Sequence, residues 1–324
     1  MTEQEKIYKI GESSLPLISG HKGSCPKHYD EELKKIVIDM REESATDNIR
    51  YQIDTWMNEN NIHNYLVFHH NIRIDNNKNW HSFPYLLIAT QDYMRYYQSK
   101  GAEYGAVNSR LEKEKIFNCL NFAEHKHRTL IYNGLKDRGL LDKGFVSCVY
   151  KGVDLPRDID PIKPYEEIYD PLQGKNVDDG WNIFCYHVVE KSFFGVVTET
   201  HHEIVPDNDG LHISEKTFKS VISQPFMVVG QYGVLQQLRE WGFETYSELF
   251  DESYDLIENP MERINFILKE IDRLCNMDEN NLRQIYDSVL WKVQHNRRVM
   301  LEFPTDDFSF KHLINYSKKV IVGE

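Results

Sequence analysis

The chain has 324 residues, with 38 Lys+Arg against 51 Asp+Glu and a formal net charge of -13. Hydrophobic residues make up 40% and charged residues 27%, as in a folded globular chain, which excludes wholesale disorder. At about 100–200 residues per domain two domains are expected. The acidic balance excludes a generic cationic nucleic-acid coat, which needs a basic excess to displace counterions, but not a local basic site.

The five cysteines are odd in number, widely spaced and without a CxxC pair. A disulfide framework or structural zinc site is therefore not expected. The N-terminus, MTEQEKIYKI, is too polar for a signal peptide. No apolar run approaches the roughly 18 residues of a membrane span. These features predict an intracellular, cytoplasmic protein with no membrane partner.

Residues 11–30 are rich in Gly, Ser and Pro and read as loop. Ile36-Val37-Ile38 reads as a buried strand ending at Asp39, followed by a helix to about Asn60 carrying Ile49, Ile53 and Trp56. Tyr65–Phe68 reads as the next strand, with His69 and His70 at its end, and Leu86–Ala89 as another apolar strand. A change to Gly and Ala around 101–108 marks a boundary. Beyond it, Ile116–Leu120 reads as strand and 123–138 as a helix with Leu130, Ile131 and Leu135 on one face. Phe145–Val149, Trp181–Tyr186 and Phe193–Thr198 read as strands. Ser214 caps a helix with Phe218, Val221 and Ile222 inward, and Pro225–Val229 is a buried strand closed by Gly230. A helix over 232–241 ends at Gly242. Asn259-Pro260 and Asp278 then start two amphipathic helices. The alternation predicts an α/β chain with parallel, doubly wound sheets.

Acidity is unevenly spread. Residues 152–210 hold 13 Asp+Glu and 4 Lys+Arg, together with Pro156, Pro161, Pro164, Pro171 and Pro206. That pattern reads as one acidic, loop-rich insertion.

The segment Phe193–Gly230, FFGVVTETHHEIVPDNDGLHISEKTFKSVISQPFMVVG, carries most of the chemistry. It reads as strand, a carboxylate (Glu199) at the strand's C-terminal end, loop, a helix opening with Ser214-Glu215-Lys216, then strand. Ligands of open α/β sheets bind outside the carboxyl ends of strands. The helix start offers N–H groups and a positive dipole to an anion. Lys216 adds a full charge for a phosphate, and Glu215 can accept from a ribose diol. A second strand-to-helix element, Asn118-Cys119-Leu120-Asn121 followed by 122–128, brings His125, Lys126, His127 and Arg128 to a helix start. Arg128 suits bidentate contact with a phosphate.

Together, VVTET…HISEKTFKSVISQPFMVVG and NCLNFAEHKHR…GLLDKGFVS resemble the nucleotide-sugar half of alpha-1,3-fucosyltransferase-like glycosyltransferases of GT-B fold, with phage and bacterial relatives. The resemblance covers about residues 115–255 and rests on [ST]-E-K at a helix start between two strands. It implies two Rossmann-like domains facing a cleft: 1–108 on the acceptor side, 109–300 binding the nucleotide sugar, and 301–324 crossing back. It further implies Glu215 on the ribose, Lys216 and Arg128 on the diphosphate, and Glu199 near the sugar or nucleotide, with Asn121 and Ser214 in the same donor site. The implied reaction moves a sugar from a UDP- or GDP-sugar to an acceptor hydroxyl on a glycan or, by analogy, a modified DNA base. No metal and no further cofactor is expected.

Such a transfer needs charge neutralisation on the departing diphosphate and a base for the hydroxyl. Asp39, Glu42 and Glu43 follow one N-terminal strand and His69 and His70 another, with Asp39 or Glu43 preferred. Blander roles compete. Glu215 and Lys216 suit any solvated first helical turn, Glu199 any loop carboxylate, and Arg128 any surface helix. His201-His202 lacks a third metal ligand fixed by spacing. The triplets Asp158-Ile159-Asp160 and Asp207-Asn208-Asp209 lie among Pro and Gly with no strand leading in, so they read as loops rather than a metal site of GT-A type. Gly20–Ser24 lacks phosphate-loop spacing. A GT-A or other nucleotide-dependent transferase, and a non-catalytic nucleotide- or glycan-binding module, are the rival readings.

Overall fold

A computed structural model describes residues 27–30, 35–40, 47–59, 61–63, 65–69, 79–82, 84–154, 169–170, 175–176, 184–202 and 210–304. Two four-stranded sheets organise them. The first contains β1 (Lys27–Asp30), β2 (Lys35–Met40), β3 (Tyr65–His69) and β4 (Trp80–Ser82) in that order. β1 is antiparallel to β2, and β2, β3 and β4 run parallel. Helix α1 (Asp47–Glu59) links β2 to β3. It is pinned by Asp54, whose carboxylate accepts from Tyr65 Oη at 2.6 Å and Trp80 Nε1 at 2.8 Å.

Helix α2 (Tyr85–Ser99) follows. The run Leu86-Leu87-Ile88-Ala89 therefore lies in a helix, not in the expected strand. Four consecutive apolar residues have no readable period, and Leu86, Leu87 and Ile88 are all buried. α2 packs against two later helices, α5 (Glu215–Val221) and α8 (Glu279–Glu302). Gln91 Nε2 donates to the main-chain oxygens of Met300, Leu301 and Phe303 at 2.9–3.1 Å, meeting carbonyls that the end of α8 leaves unpaired.

The second sheet contains β5 (Lys115–Asn121), β6 (Gly144–Cys148), β9 (Ser192–Thr198) and β10 (Phe226–Val229), all parallel, in the order β10-β9-β5-β6. The two-residue strands β7 (Tyr169–Asp170) and β8 (Lys175–Asn176) pair with each other. β9 and β10 are buried along their whole length, as expected of parallel strands covered on both faces. Helix α3 (Lys126–Asp137) joins β5 to β6 and packs on α7 (Pro260–Cys275), while α5 joins β9 to β10. A short helix, α4 (Tyr186–Glu190), leads into β9. Of the expected strand Trp181–Tyr186, residues 181–183 lie outside the described residues, Phe184 and Cys185 are irregular, and Tyr186 opens α4.

α6 (Val234–Glu240), α7 and α8 complete the helices. Asn259 caps α7 with Pro260 at its first position, and Asp278 caps α8. The chain is thus an α/β protein with a parallel four-stranded sheet. Among the described residues no helix is long and apolar enough to cross a membrane.

Candidate functional site at the switch point of the second sheet

Strand order decides where a ligand can sit. From β5 the chain moves outward to β6; from β9 it moves the other way to β10. The order reverses between β5 and β9, and there a crevice opens at the carboxyl ends of the strands. Right-handed crossovers in opposite directions put α3 and α5 on opposite faces, so both helices start beside this crevice.

The frame of the crevice is a chain of buried hydrogen bonds. Glu199, just past β9, is fully buried. Its Oε1 accepts from the Ser214 amide (2.9 Å) and Thr217 Oγ1 (2.5 Å), and its Oε2 from Ser214 Oγ (2.5 Å). Glu199 therefore locks the start of α5 in place. Every oxygen it offers is already engaged, and no surface remains open to a ligand. Ser214 caps α5 by accepting from the Lys216 amide. With these groups spent inside the protein, the first turn of α5 contributes its side chains rather than its N–H groups. Asn121 is also internal: Thr198 Oγ1 donates to its Oδ1 at 2.6 Å, and its Nδ2 reaches Cys119 Sγ at 3.3 Å. It ties β5 to β9 across the switch point.

The cationic groups are arranged differently. Arg128, in the first turn of α3, is buried, and its guanidinium donates only to main-chain oxygens of Ala123 (3.0 Å), Thr198 (3.3 Å) and Glu199 (3.4 Å). Its Nε has no hydrogen-bond partner, and among the described residues no carboxylate is paired with it. A guanidinium buried without a directly paired carboxylate is costly. Burial pushes its pKa down, opposed chiefly by the Glu199 carboxylate. Lys216 is about one-third exposed; its Nζ meets Glu215 Oε1 at 2.7 Å, Ser214 Oγ at 3.2 Å and Thr200 Oγ1 at 3.3 Å. Burial raises the Glu215 pKa, but the Lys216 and Lys219 ammoniums outweigh it and hold this carboxylate below its ordinary range.

His125 connects the two helices. It is the N-cap residue of α3, with no side-chain capping bond. Burial lowers its pKa first, then the charges of Arg128 and Lys216. Behind it, His127 stacks on His202 with centroids 5.1 Å apart and planes at 19°. His127 Nε2 lies 2.7 Å from the Glu199 carbonyl, and both ring nitrogens of His202 lack a hydrogen-bond partner. Burial brings His127 down to about 4 and His202 down to about 3. Lys219, one helical turn after Lys216, is brought down to about 8, by burial first and by Lys216.

The structure thus brings Arg128, Ser214, Glu215, Lys216, Glu199 and Asn121 together from three stretches of the chain, 121–128, 199 and 214–216. It adds His125 and Lys219. Lys219 had a readable signal, since it lies three residues after Lys216 on the same helical face. Asp39 lies in β2 opposite Phe68. Glu42, Glu43, His70, both Asp-x-Asp triplets, residues 20–24 and residues 305–324 lie outside the described residues. His69 is buried beside Trp80, ring centroids 5.6 Å apart. Among the described residues no group of three His, Cys, Asp or Glu side chains is placed to hold a metal ion. Comparison with protein-family models, with curated proteins and with solved structures finds no match to this chain.

Proposed function

We propose that the chain is a glycosyltransferase that takes a sugar from a nucleotide-diphosphate donor, with the GT-B arrangement of the alpha-1,3-fucosyltransferase-like enzymes it resembles. The observation that carries this reading is that two helices bring cations to the end of β9 beside the reversal of strand order: Arg128 on the carbonyls of Thr198 and Glu199, and Lys216 on Thr200 Oγ1. Sugar transfer breaks the bond between the anomeric carbon and the diphosphate, leaving negative charge on the phosphate oxygens. Preorganised cations at that position stabilise the charge as it develops. Arg128 supplies a guanidinium whose partners among the described residues are main-chain oxygens, and Lys216 an ammonium about one-third exposed.

In this reading Glu215 accepts from the ribose, while Glu199, Ser214 and Asn121 hold the crevice in shape. The acceptor hydroxyl must lose a proton. Asp39 and Glu43 are the acceptor-side candidates, and His125 stands at the start of α3 beside Arg128. The acceptor, a glycan or a hydroxyl on a modified DNA base, comes from the resemblance alone. A rival reading has one observation behind it: with Glu199 buried, the crevice suits a nucleotide-binding module that performs no transfer.

Calorimetry with UDP, GDP and ADP tests the donor site. Binding of one nucleotide in the micromolar range, weakened in Lys216→Ala and Arg128→Ala, is expected. No binding to any of the three would sink the assignment. Slow release of that nucleotide from its sugar conjugate, unaffected by EDTA, separates a metal-independent transferase from a binding module.

A further inference from the structure

A second feature adjoins the crevice. On the α5 side of the sheet lies a cavity of about 170 Å³. Its floor is polar: Asn118 Nδ2 donates to Gln224 Oε1 and Ser192 Oγ, each at 2.8 Å. Gly195 permits this floor, because a Cβ there would lie 2.5 Å from Gln224 Nε2. The walls are apolar, formed by Leu120, Val189, Val196 and Phe184. The Phe184 ring is held between Tyr186 (4.5 Å) and Tyr104 (5.9 Å). The Cys185 thiol, half-buried, stands beside it. Lys216 and Lys219 close the end nearest the crevice.

Size and chemistry together restrict the occupant. Sites for whole drug-sized ligands run from about 300 Å³ upward, so this cavity holds one ring system and not a nucleotide sugar. Apolar walls suit the faces of a flat ring. Two side-chain amides suit a hydrogen-bonding edge. Two ammoniums at one end suit an attached anion. Lys216 belongs to both the cavity and the crevice.

We infer that this cavity seats the heterocyclic base of the nucleotide donor, edge-on to Asn118 and Gln224, with the diphosphate passing over Lys216 to Arg128. The inference rests on the nucleotide-sugar reading and adds which part of the donor lies where. It makes Phe184 and the Asn118–Gln224 pair the residues that select the base.

Cys185 provides the test. The full chain is alkylated with N-ethylmaleimide, alone and with the nucleotide that binds best in calorimetry, and Cys185 is followed by peptide mass spectrometry. At nucleotide concentrations near 100 Kd, alkylation of Cys185 should slow at least about tenfold. Inorganic pyrophosphate at saturation should leave the rate unchanged. In parallel, Cys185→Trp fills the cavity: nucleotide affinity should fall to that of pyrophosphate, and pyrophosphate affinity should hold. A nucleotide that binds the wild type yet leaves Cys185 unprotected, or binds Cys185→Trp as tightly, overturns the inference and leaves the donor site standing. If no nucleotide binds the wild type, the donor reading falls and this one falls with it.

Discussion

In the first sheet the strands lie side by side in chain order, β1-β2-β3-β4; in the second the order is β10-β9-β5-β6. Both sheets are mainly parallel and both bury aromatic and branched side chains. Only the second reverses direction inside the sheet, and only there do two helix starts open on one crevice. The carboxylates that fasten each half differ in consequence. Asp54 in the first half is a fastener between α1 and its sheet, bonded to Tyr65 and Trp80. Glu199 in the second half is also a fastener, but what it fastens is α5, which carries Lys216 to the crevice. The same chemistry holds structure in one place and positions charge in the other, and topology makes the difference.

Substitutions that separate the two halves test this contrast. The largest effect is expected from Glu199→Ala. It strands the Ser214 amide, the Ser214 hydroxyl and the Thr217 hydroxyl in a buried site, each costing about 1–3 kcal/mol, so stability should fall by about 3 kcal/mol or more. Nucleotide binding should weaken with it, because α5 loses its anchor. Chemical denaturation and calorimetry read the two effects.

Lys216→Ala should do the reverse, leaving the melting temperature nearly unchanged while nucleotide affinity drops about 10- to 100-fold, the worth of one charged hydrogen bond. A melting temperature that falls while affinity holds would mark Lys216 as structural.

Acid should act on the second half through His127 and His202. Their pKa values are depressed in the fold, to about 4 and about 3, from an ordinary value near 6.5. Between those limits the unfolded chain binds more protons, so stability falls as pH drops below about 6.5, by about 2 kcal/mol at pH 5.5. His202→Phe should flatten that profile; an unchanged slope would show that the stacked pair is not its source.

The smallest effect belongs to the first sheet. Tyr65→Phe removes one hydrogen bond to Asp54 and should cost about 1 kcal/mol, with nucleotide affinity unchanged. A loss of affinity there would mean that the two halves are coupled more tightly than this contrast allows.

Much of the second sheet was legible in the sequence, because its strands are short and mostly apolar, with β10 an unbroken run closed by Gly230, and its helices carry Ser214, Asn259-Pro260 and Asp278 as caps. Leu86–Ala89 was not. A four-residue apolar run is compatible with a buried strand or a buried helix turn, and only the packing of α2 on α5 and α8 decides. Among the site residues, Lys216 and Glu215 were visible as a pair in a helix start. The inward positions of Glu199 and Asn121 were not, because their partners, Ser214 and Thr198, lie 15 and 77 residues away along the chain. A carboxylate at a strand end looks the same in sequence whether it faces a ligand or holds a helix. The amide floor formed by Asn118 and Gln224, 106 residues apart, was beyond any local pattern.

The central claim is that the reversal of strand order between β5 and β9 creates a nucleotide site. Diffraction from a crystal soaked in UDP or GDP addresses it most directly. The account predicts diphosphate density between the Arg128 guanidinium and the Lys216 ammonium, at the carboxyl ends of β5 and β9. Nucleotide density elsewhere on the molecule, with this crevice empty, would contradict it.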